Sequence, residues 1–313
     1  MGVDLRPLIV SDVISLDELE GRIITVDASN ILHQFLSTIR KPDGTPLTDT
    51  EGNVTSHLVG LFYRTLRMIN GFSIRPVYVF DGEMPDLKTD LVEERARRRR
   101  EAEKRWMEAK KRGEAGEAFR EAVKTGYLDE QMIKDSKTLL GLLGLPTVQA
   151  PGEAEAQCAY MTGDDDVYAM NSRDYDSLLF GAQRLLRYLT IKNSENIEVI
   201  DLSKLLKGHG ISFEQLVDMG ILIGTDYNDG VYRVGPKTSL KLIKKHGSIE
   251  DLPEKYLEKL DDVYRDVRDL FLDPPVTSDY DLAFSEPHEN ELVQFLCEER
   301  GFPRERVLNN LHK

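Results

Sequence analysis

The sequence RIITVDASNILHQFLSTI at residues 22–39 decides the class of fold, because it joins a buried strand to a helix. Its β-branched apolar half predicts a strand at 22–27 that ends on Asp27, and a helix follows through Asn30 to Ile39. The pattern recurs, with strands predicted at 75–81, 145–150, 166–172, 184–189 and 196–201 and helices at 56–70 and 129–143. Strands that alternate with helices predict an α/β fold in which helices flank a mostly parallel sheet.

Basic residues concentrate in one segment of an otherwise acidic chain. The formal net charge is −14, yet residues 95–112 carry +7, which leaves −21 for the remainder. The segment belongs to a stretch from 83 to 128 in which core-type apolar residues nearly vanish, with a glycine-containing break at 113–116. A solvated helix face is the common interpretation of such a run. We expect a helical insertion that buries little and is mobile, and its charge suits nucleic acid.

Acidic residues follow the predicted strands at the points where the strands end. In open α/β sheets the carboxyl ends of the strands share one edge, and ligands bind outside that edge. Six carboxylates map to it, and a seventh follows an apolar helix: Asp27, Asp81, Glu153, Glu155, Asp174, Asp176 and Asp226. Each alone could cap a helix or complement its dipole. Together they would repel one another, so we expect cations to balance them.

The ligand types narrow the choice of cation. No histidine or cysteine cluster accompanies the acids in the sequence, so oxygen ligands predict Mg²⁺ or Mn²⁺ rather than zinc. A carboxylate-rich site of this kind favours two ions about 3.5–4 Å apart that act on a phosphodiester. A phosphatase of the D-x-D type is excluded because Ser29 occupies the second acidic position.

The stretch GVYRVGPKTS at 230–239 nearly matches a P-loop, but its spacing is one residue too long and Pro236 removes a backbone donor. It has a better interpretation as a contact to a DNA backbone. An apolar helix precedes it, a basic helix follows it, and the Gly-Pro-Lys-Thr turn offers N–H groups and Lys237 to a phosphate. Such a contact positions DNA without reading its sequence.

These motifs resemble those of the flap endonucleases, structure-specific 5′ nucleases of archaea and eukaryotes. The resemblance runs from Met1 to about residue 300 and rests on TVDASN, SHLVGLFYRTLRM, PVYVFDGEMP, RARRRREAEKR, APGEAEAQCAY, SRDYDSLLFG and GTDYNDGVYRVGPKTSL, in this order. It implies a single nuclease domain over 1–313, with a mixed sheet flanked by helices. Residues 83–128 would form a helical arch over the active site, and residues 212–260 a helix-two-turn-helix element that binds DNA.

The resemblance also implies an activity and roles for residues. The enzyme would be a Mg²⁺-dependent 5′ flap endonuclease and 5′–3′ exonuclease that hydrolyses DNA at single-strand/duplex junctions with two metal ions, in replication and repair. The seven carboxylates would form the metal site, some of them through water, with Glu155 more direct than Glu153. Lys88 and Arg95 would contact the scissile phosphate. The other DNA contacts implied are His33, Arg64, Arg98, Arg99, Arg233, Gly235, Lys237 and Thr238.

Three departures from the family pattern concern partners and contacts. His33 replaces a tyrosine thought to stack on a base, and Arg233 replaces the first glycine of a G-I-G-P-K turn, so the local geometry is expected to differ. The C-terminal peptide with which relatives dock on a sliding clamp does not occur at NNLHK. Either the sequence is shortened at this end or a clamp, a further candidate partner, is bound by another segment. We expect a monomer that binds branched DNA with a 5′ flap and no membrane. Its place would be cytoplasmic, beside the nucleoid, in an archaeon and nuclear in a eukaryote.

Two alternatives remain open. One is a relative of the same superfamily that prefers exonuclease action or the cutting of bubbles. The single long insertion favours flap cutting over this alternative. The other is a non-catalytic protein that binds DNA junctions. That hypothesis predicts missing metal ligands, whereas all seven carboxylates are present in the sequence.

Overall fold

The computed structural model describes residues 2–83, 89–164, 166–187, 189 and 197–313, and for 89–95 it describes the backbone only. The described chain divides into two compact units. Unit 1 comprises Met1–Asp27, Asp81–Thr89 and Gln149–Asp279. Unit 2 comprises Ala28–Phe80, Asp90–Val148 and Tyr280–Lys313.

Seven strands of the described residues belong to a mixed sheet. They are β1 (Asp12–Ile14), β2 (Ile23–Asp27), β3 (Arg75–Phe80), β4 (Thr147–Gln149), β5 (Val167–Asn171), β6 (Arg184–Arg187) and β7 (Ile197–Asp201). Unit 1 carries five of them in the order β1-β7-β6-β5-β2, whereas β3 and most of β4 belong to unit 2. The six strands predicted from the sequence are all present, with ends shifted by one or two residues.

Helices make up most of the remaining chain. The first seven are α1 (Ala28–Thr38), α2 (Ser56–Phe72), α3 (Thr89–Lys111), α4 (Ala115–Ala122), α5 (Glu130–Leu142), α6 (Ala154–Met161) and α7 (Asp176–Leu179). The others are α8 (Leu202–His209), α9 (Phe213–Ile223), α10 (Pro236–His246), α11 (Glu254–Leu257), α12 (Tyr264–Leu272), α13 (Glu289–Val293) and α14 (Arg304–Leu311). In the ranges that the structure describes, no helix combines the length and apolar character needed to cross a membrane.

The sheet of unit 1 is mixed, and its strand β5 is parallel to both neighbours. Strand β5 pairs in parallel with β2, at Val26 opposite Asn171, and with β6. Strand β7 runs antiparallel to β6 and to β1. The link between β6 and β7 explains the reversal, because residues 188–196 are too few for the crossover that a parallel pair needs.

Burial explains which strands the sequence could predict. Residues 23–26 of β2 are all buried, as a strand covered on both faces requires, and so are Val167, Ala169 and Met170 of β5. Strand β1 was not predicted, because three residues at the edge of the sheet carry no apolar run. Its Val13 stays 60% exposed.

The basic insertion in unit 2 forms α3 and α4, with Gly113 in the left-handed region at φ 74° between them. The expectation that it buries little is wrong in one respect. Alanines form a buried stripe on the two helices, at Ala102, Ala109, Ala118 and Ala122. Small side chains of this kind let helices approach closely. A hydrogen bond also holds α3, because Trp106 Nε1 donates to the carbonyl oxygen of Asp43 at 3.1 Å. The mobility of the insertion stays a prediction.

Candidate active site

The carboxyl edge of unit 1 is built from two parallel strands. Strand β2 ends on Asp27, and the chain after β5 turns through Asp174 into α7, which begins at Asp176. Because Val26 pairs with Asn171, the residues that follow both strands meet at one edge of the sheet. Three of the predicted carboxylates therefore belong to a single neighbourhood.

The charges of all three acids act on Glu155, which lies in the first turn of α6. Its carboxylate is half-buried and accepts a hydrogen bond from Ser177 Oγ at 2.5 Å. Loss of water raises the pKa of Glu155 well above its usual value, and the charges of Asp176, Asp27 and Asp174 raise it further against the Ser177 bond. Negative charge is thus in excess at this position.

Another predicted acid, Asp81, contacts the N-terminus of α6. Asp81 Oδ1 accepts from the backbone N–H of Ala154 at 2.8 Å, so this carboxylate caps the helix from a distant segment. The next residue, Gly82, donates from its N–H to the Gly152 carbonyl at 2.7 Å, and a Cβ there would lie 2.2 Å from the Ala150 oxygen. Only glycine fits this close approach, which fixes Asp81 beside the helix.

Glu153, the residue before α6, is buried and accepts a hydrogen bond from the hydroxyl of Tyr227. Burial raises the pKa of Tyr227, and the Glu153 charge adds to the rise, so the tyrosine stays a donor. Tyr227 packs edge-on against Phe271 at 5.4 Å between ring centroids. The hydrogen bond from Tyr227 to Glu153 connects the loop that carries Asp226 to the start of α6.

The N-terminal segment also reaches this edge. The backbone N–H of Val3 donates to Asp176 Oδ1 at 2.6 Å. A Cβ on Gly2 would lie 2.9 Å from Asp176 Oδ2, so the residue before Val3 packs on the same carboxylate. Sequence reasoning missed Gly2, Val3, Tyr227 and Ser177, because each acts through a partner far away in the chain.

The donor set fits a hard cation. In the described part of the chain, no three acidic, histidine or cysteine side chains already stand in a metal-binding arrangement. The chemistry of the edge nevertheless consists of carboxylate oxygens, which suit Mg²⁺ and Mn²⁺. A cation there would lower the pKa of Glu155, because a positive charge favours the ionised carboxylate and opposes the effects of burial and of the neighbouring acids.

The predicted phosphate and DNA contacts have different outcomes. Lys88 lies outside the described residues, and Arg95 lies on α3 with its side chain outside them. In unit 2, His33 and Arg98 are exposed, Arg64 lies 4.9 Å from the centroid of the Phe35 ring, and Arg99 lies 4.3 Å from that of Tyr127. These four stay predictions.

The turn before α10 in unit 1 carries the other predicted contacts. Arg233, Lys237 and Thr238 are exposed, and Gly235 precedes the first residue of the helix. Arg233 has a φ of 66°, in the left-handed region that favours glycine. Holding an arginine in this region costs about 1 kcal/mol of backbone strain.

Comparison with known proteins identifies the family. The chain matches the XPG N-terminal domain over residues 1–102 and the XPG I-region over residues 144–226. It is 45% identical to Flap endonuclease 1 of Thermococcus onnurineus, with 100% of this chain and 94% of that protein covered. The chain belongs to the flap endonuclease 1 family. Flap endonuclease 1 of Methanosphaera stadtmanae is 44% identical, with 100% of this chain and 96% of that protein covered.

Solved structures support the same fold for this member of the flap endonuclease 1 family. Flap endonuclease-1 from Methanococcus jannaschii matches with a TM-score of 0.80 at 36% identity, over 99% of this chain and 97% of that one. The catalytic core of Rad2 in complex with DNA substrate matches with a TM-score of 0.73 at 27% identity, over 98% and 97%. The α/β class with helices around a mixed sheet is thereby confirmed.

Proposed function

We propose that this member of the flap endonuclease 1 family is a metal-dependent 5′ flap endonuclease that hydrolyses DNA phosphodiesters at single-strand/duplex junctions. The observation that carries the proposal is the surplus of negative charge around Glu155 at the carboxyl edge of unit 1. Such a surplus fits cation-dependent hydrolysis better than passive binding of DNA, which is itself an anion. The match to flap endonuclease 1 relatives and to the two XPG domains supports cation-dependent hydrolysis of DNA as well.

The proposed cofactor is a pair of Mg²⁺ ions, for which Mn²⁺ could substitute. The residues that would hold them are Asp27, Asp81, Glu153, Glu155, Asp174, Asp176 and Asp226, some through water. When bound, the ions lower the pKa of a water and stabilise the charge that develops on the phosphate and the leaving oxygen.

The residues of the chain orient this set of carboxylates. Ser177 fixes one oxygen of Glu155, and Tyr227 fixes one oxygen of Glu153. The helix dipole at the start of α6 favours the negative charges gathered there, by about 0.3–1 kcal/mol for each exposed group. Hydrogen bonds of this kind restrict the rotamers of metal ligands, which is a known requirement for metal affinity.

Basic residues would supply the contacts to the DNA. Lys88 and Arg95 are proposed to stabilise charge on the scissile phosphate. His33, Arg64, Arg98 and Arg99 are proposed as further DNA contacts, of which Arg98 and Arg99 extend the basic face of the arch. The turn at Arg233, Gly235, Lys237 and Thr238 is proposed to hold a duplex backbone, as the second half of a helix-two-turn-helix element over 212–260.

The remaining expectations are proposals as well. They comprise a single nuclease domain over 1–313 with an arch at 83–128, a monomeric state, and a role in removing primer flaps and in repair. A sliding clamp is a further candidate partner. The expected location is beside the nucleoid, since the relatives compared are archaeal.

The proposal is tested by incubating the purified protein with Mg²⁺ and end-labelled DNA. The substrates are a single 5′ flap, a double flap, a bubble and a blunt duplex of matched sequence. We expect cuts near the junction of the flaps, with products that carry a 5′-phosphate, and no such cuts in EDTA. Equal cleavage of all substrates would contradict structure-specific action, and a preference for the bubble would favour the alternative member of the superfamily.

A further inference from the structure

A buried arginine contacts the loop that carries two of the proposed metal ligands. Arg187, the last residue of β6, is 7% exposed. Its Nε donates to the carbonyl oxygen of Arg173 at 3.2 Å, and its Nη1 donates to the hydroxyl of Tyr175. These two partners flank Asp174 in the sequence, and Asp176 follows directly.

The charge of Arg187 already has a partner without these contacts. Glu198 lies opposite it on the antiparallel strand β7, and Glu198 Oε2 accepts from Nη1 at 3.0 Å. A buried guanidinium needs such a counter-ion, and one pair is enough to explain its place in the sheet. The donors directed at residues 173 and 175 are therefore additional, and they hold a segment of irregular backbone.

Other contacts hold the same loop from its two ends. The N–H of Asp174 donates to Ser172 Oγ at 3.1 Å. The Asp174 carbonyl lies 3.1 Å from Ser177 Oγ and shares the single hydroxyl proton that Ser177 also donates to Glu155. Both contacts to Asp174 are local, within three residues. Arg187 connects the middle of the loop to the sheet. Its Cζ atom also lies over the Tyr175 ring, 4.1 Å from the ring centroid.

We propose that Arg187 is a positioning residue that holds the 173–176 loop in the conformation in which Asp174 and Asp176 serve the metal site. This inference rests on the proposed function. The fork of the guanidinium makes it possible, because two nitrogens at fixed angles reach three partners together: Nε reaches the carbonyl, and Nη1 reaches both the hydroxyl and the carboxylate. A lysine would keep the charge near Glu198 but presents all its donors from one atom.

Three variants separate positioning from simple stability. Arg187→Lys keeps the ion pair and loses the fork. Glu198→Gln removes the counter-ion and leaves the loop contacts in place, so it is the matched control. Tyr175→Phe removes only the hydroxyl that Arg187 contacts, and it serves if Arg187→Lys fails to fold. For each variant we would measure kcat and KM on flap DNA, Mn²⁺ binding to the substrate-free protein, and Tm.

Loss of groups that orient metal ligands typically lowers metal affinity or activity about 10–100-fold. We therefore expect Arg187→Lys to lower kcat at least about 10-fold and to weaken Mn²⁺ binding similarly, with KM for DNA within about 2-fold. Tyr175→Phe should lower both about 3-fold, as the loss of one hydrogen bond implies. Glu198→Gln should reduce Tm while kcat and Mn²⁺ affinity stay within about 2-fold of wild type.

The opposite results would overturn the inference. If Arg187→Lys or Tyr175→Phe lowers Tm but leaves kcat and Mn²⁺ affinity unchanged, Arg187 has only a structural role. The same holds if Glu198→Gln impairs Mn²⁺ binding as much as Arg187→Lys does. A wild-type protein that binds Mn²⁺ without cutting flaps would contradict the proposed function instead. Mn²⁺ binding by the variants would then still decide the role of Arg187.

Discussion

Tyr227 is the side chain whose change tests the acidic edge with the least disturbance. The Tyr227→Phe variant keeps the ring against Phe271 and removes the hydroxyl that donates to Glu153. We expect kcat to fall about 10-fold, because Glu153 loses its fixed rotamer, while KM for flap DNA changes little. Steady-state kinetics would measure both quantities.

An exposed tyrosine provides the control for this change at a buried one. Tyr232 is 80% exposed, so Tyr232→Phe should leave kcat near the wild-type value. Unchanged kcat in Tyr227→Phe would refute the claim that the Tyr227 hydroxyl orients Glu153.

His57 makes the stability of the fold sensitive to acid. Both of its ring nitrogens lack a hydrogen-bond partner among the described residues. Burial lowers the pKa of His57 from 6.5 to about 4, although the Asp135 and Asp129 carboxylates raise it. Since the unfolded state binds the proton first, stability is lost as the pH falls from about 6.5 towards 4, by at most about 3 kcal/mol.

The pH prediction is checked by urea unfolding at several pH values. His57→Leu should flatten the loss of unfolding free energy between pH 6.5 and 4.5 relative to wild type. A slope in His57→Leu equal to that of wild type would show that other groups cause the acid sensitivity.

Single residues also show how far the sequence could predict the site. Asp27, Asp174 and Asp176 could be placed at one edge, because the ends of strands are local signals and parallel pairing aligns them. Their supports could not, since Val3 bonds Asp176 across 173 positions in sequence. No periodicity or motif encodes such a partner, so contacts of this kind appear only in the folded chain.

At the level of elements, α3 depends on Trp106 for its attachment within unit 2. The indole bonds the Asp43 carbonyl, and Lys110 on the next turn pairs with Asp43 Oδ2 at 2.9 Å. Trp106→Ala should lower the unfolding free energy by about 1–3 kcal/mol, less than for a fully buried tryptophan. It should also speed proteolysis at the α3–α4 junction, which limited digestion would measure.

The neighbouring methionine supplies the control for the α3 prediction. Met107 is 48% exposed, so Met107→Ala should change stability by less than about 0.5 kcal/mol. Equal protease sensitivity of wild type and Trp106→Ala would show that the indole does not hold the helix.

Elements were predicted best where burial is two-sided or where a helix is long. Strand β2 could be predicted because both of its faces carry apolar residues, and helix α2 because apolar residues recur along its length. Strand β1 and the buried alanine stripe of α3 were missed. Alanine is common in exposed helices, so the sequence around Ala102 and Ala109 does not distinguish a packed face from a solvated one.

At the scale of the whole molecule, charge distribution matters more than net charge. The chain carries −14 overall, yet helices α3 and α10 are basic. Binding to flap DNA should therefore weaken steeply with salt, as the release of counterions from local contacts requires. Arg98→Ala should reduce the slope of log K against log salt by about 1, and fluorescence anisotropy in a KCl series would measure it.

A matched basic residue outside the proposed contacts makes the salt prediction specific. Lys134→Ala removes an exposed charge on α5 and should leave the slope unchanged. A flat salt dependence of the wild type, or equal slopes for Arg98→Ala and wild type, would refute the role of α3 in DNA binding.

The central claim is that the carboxylates at the edge of unit 1 form the metal site for flap cleavage. Single-turnover cleavage of a 5′ flap by Asp174→Ala at millimolar Mg²⁺ tests it most directly, with exposed Asp17→Ala as the control. We predict that Asp174→Ala loses cleavage by at least about 10²-fold while its affinity for flap DNA stays largely intact, and that Asp17→Ala behaves as wild type. Cleavage by Asp174→Ala at the wild-type rate would contradict the account.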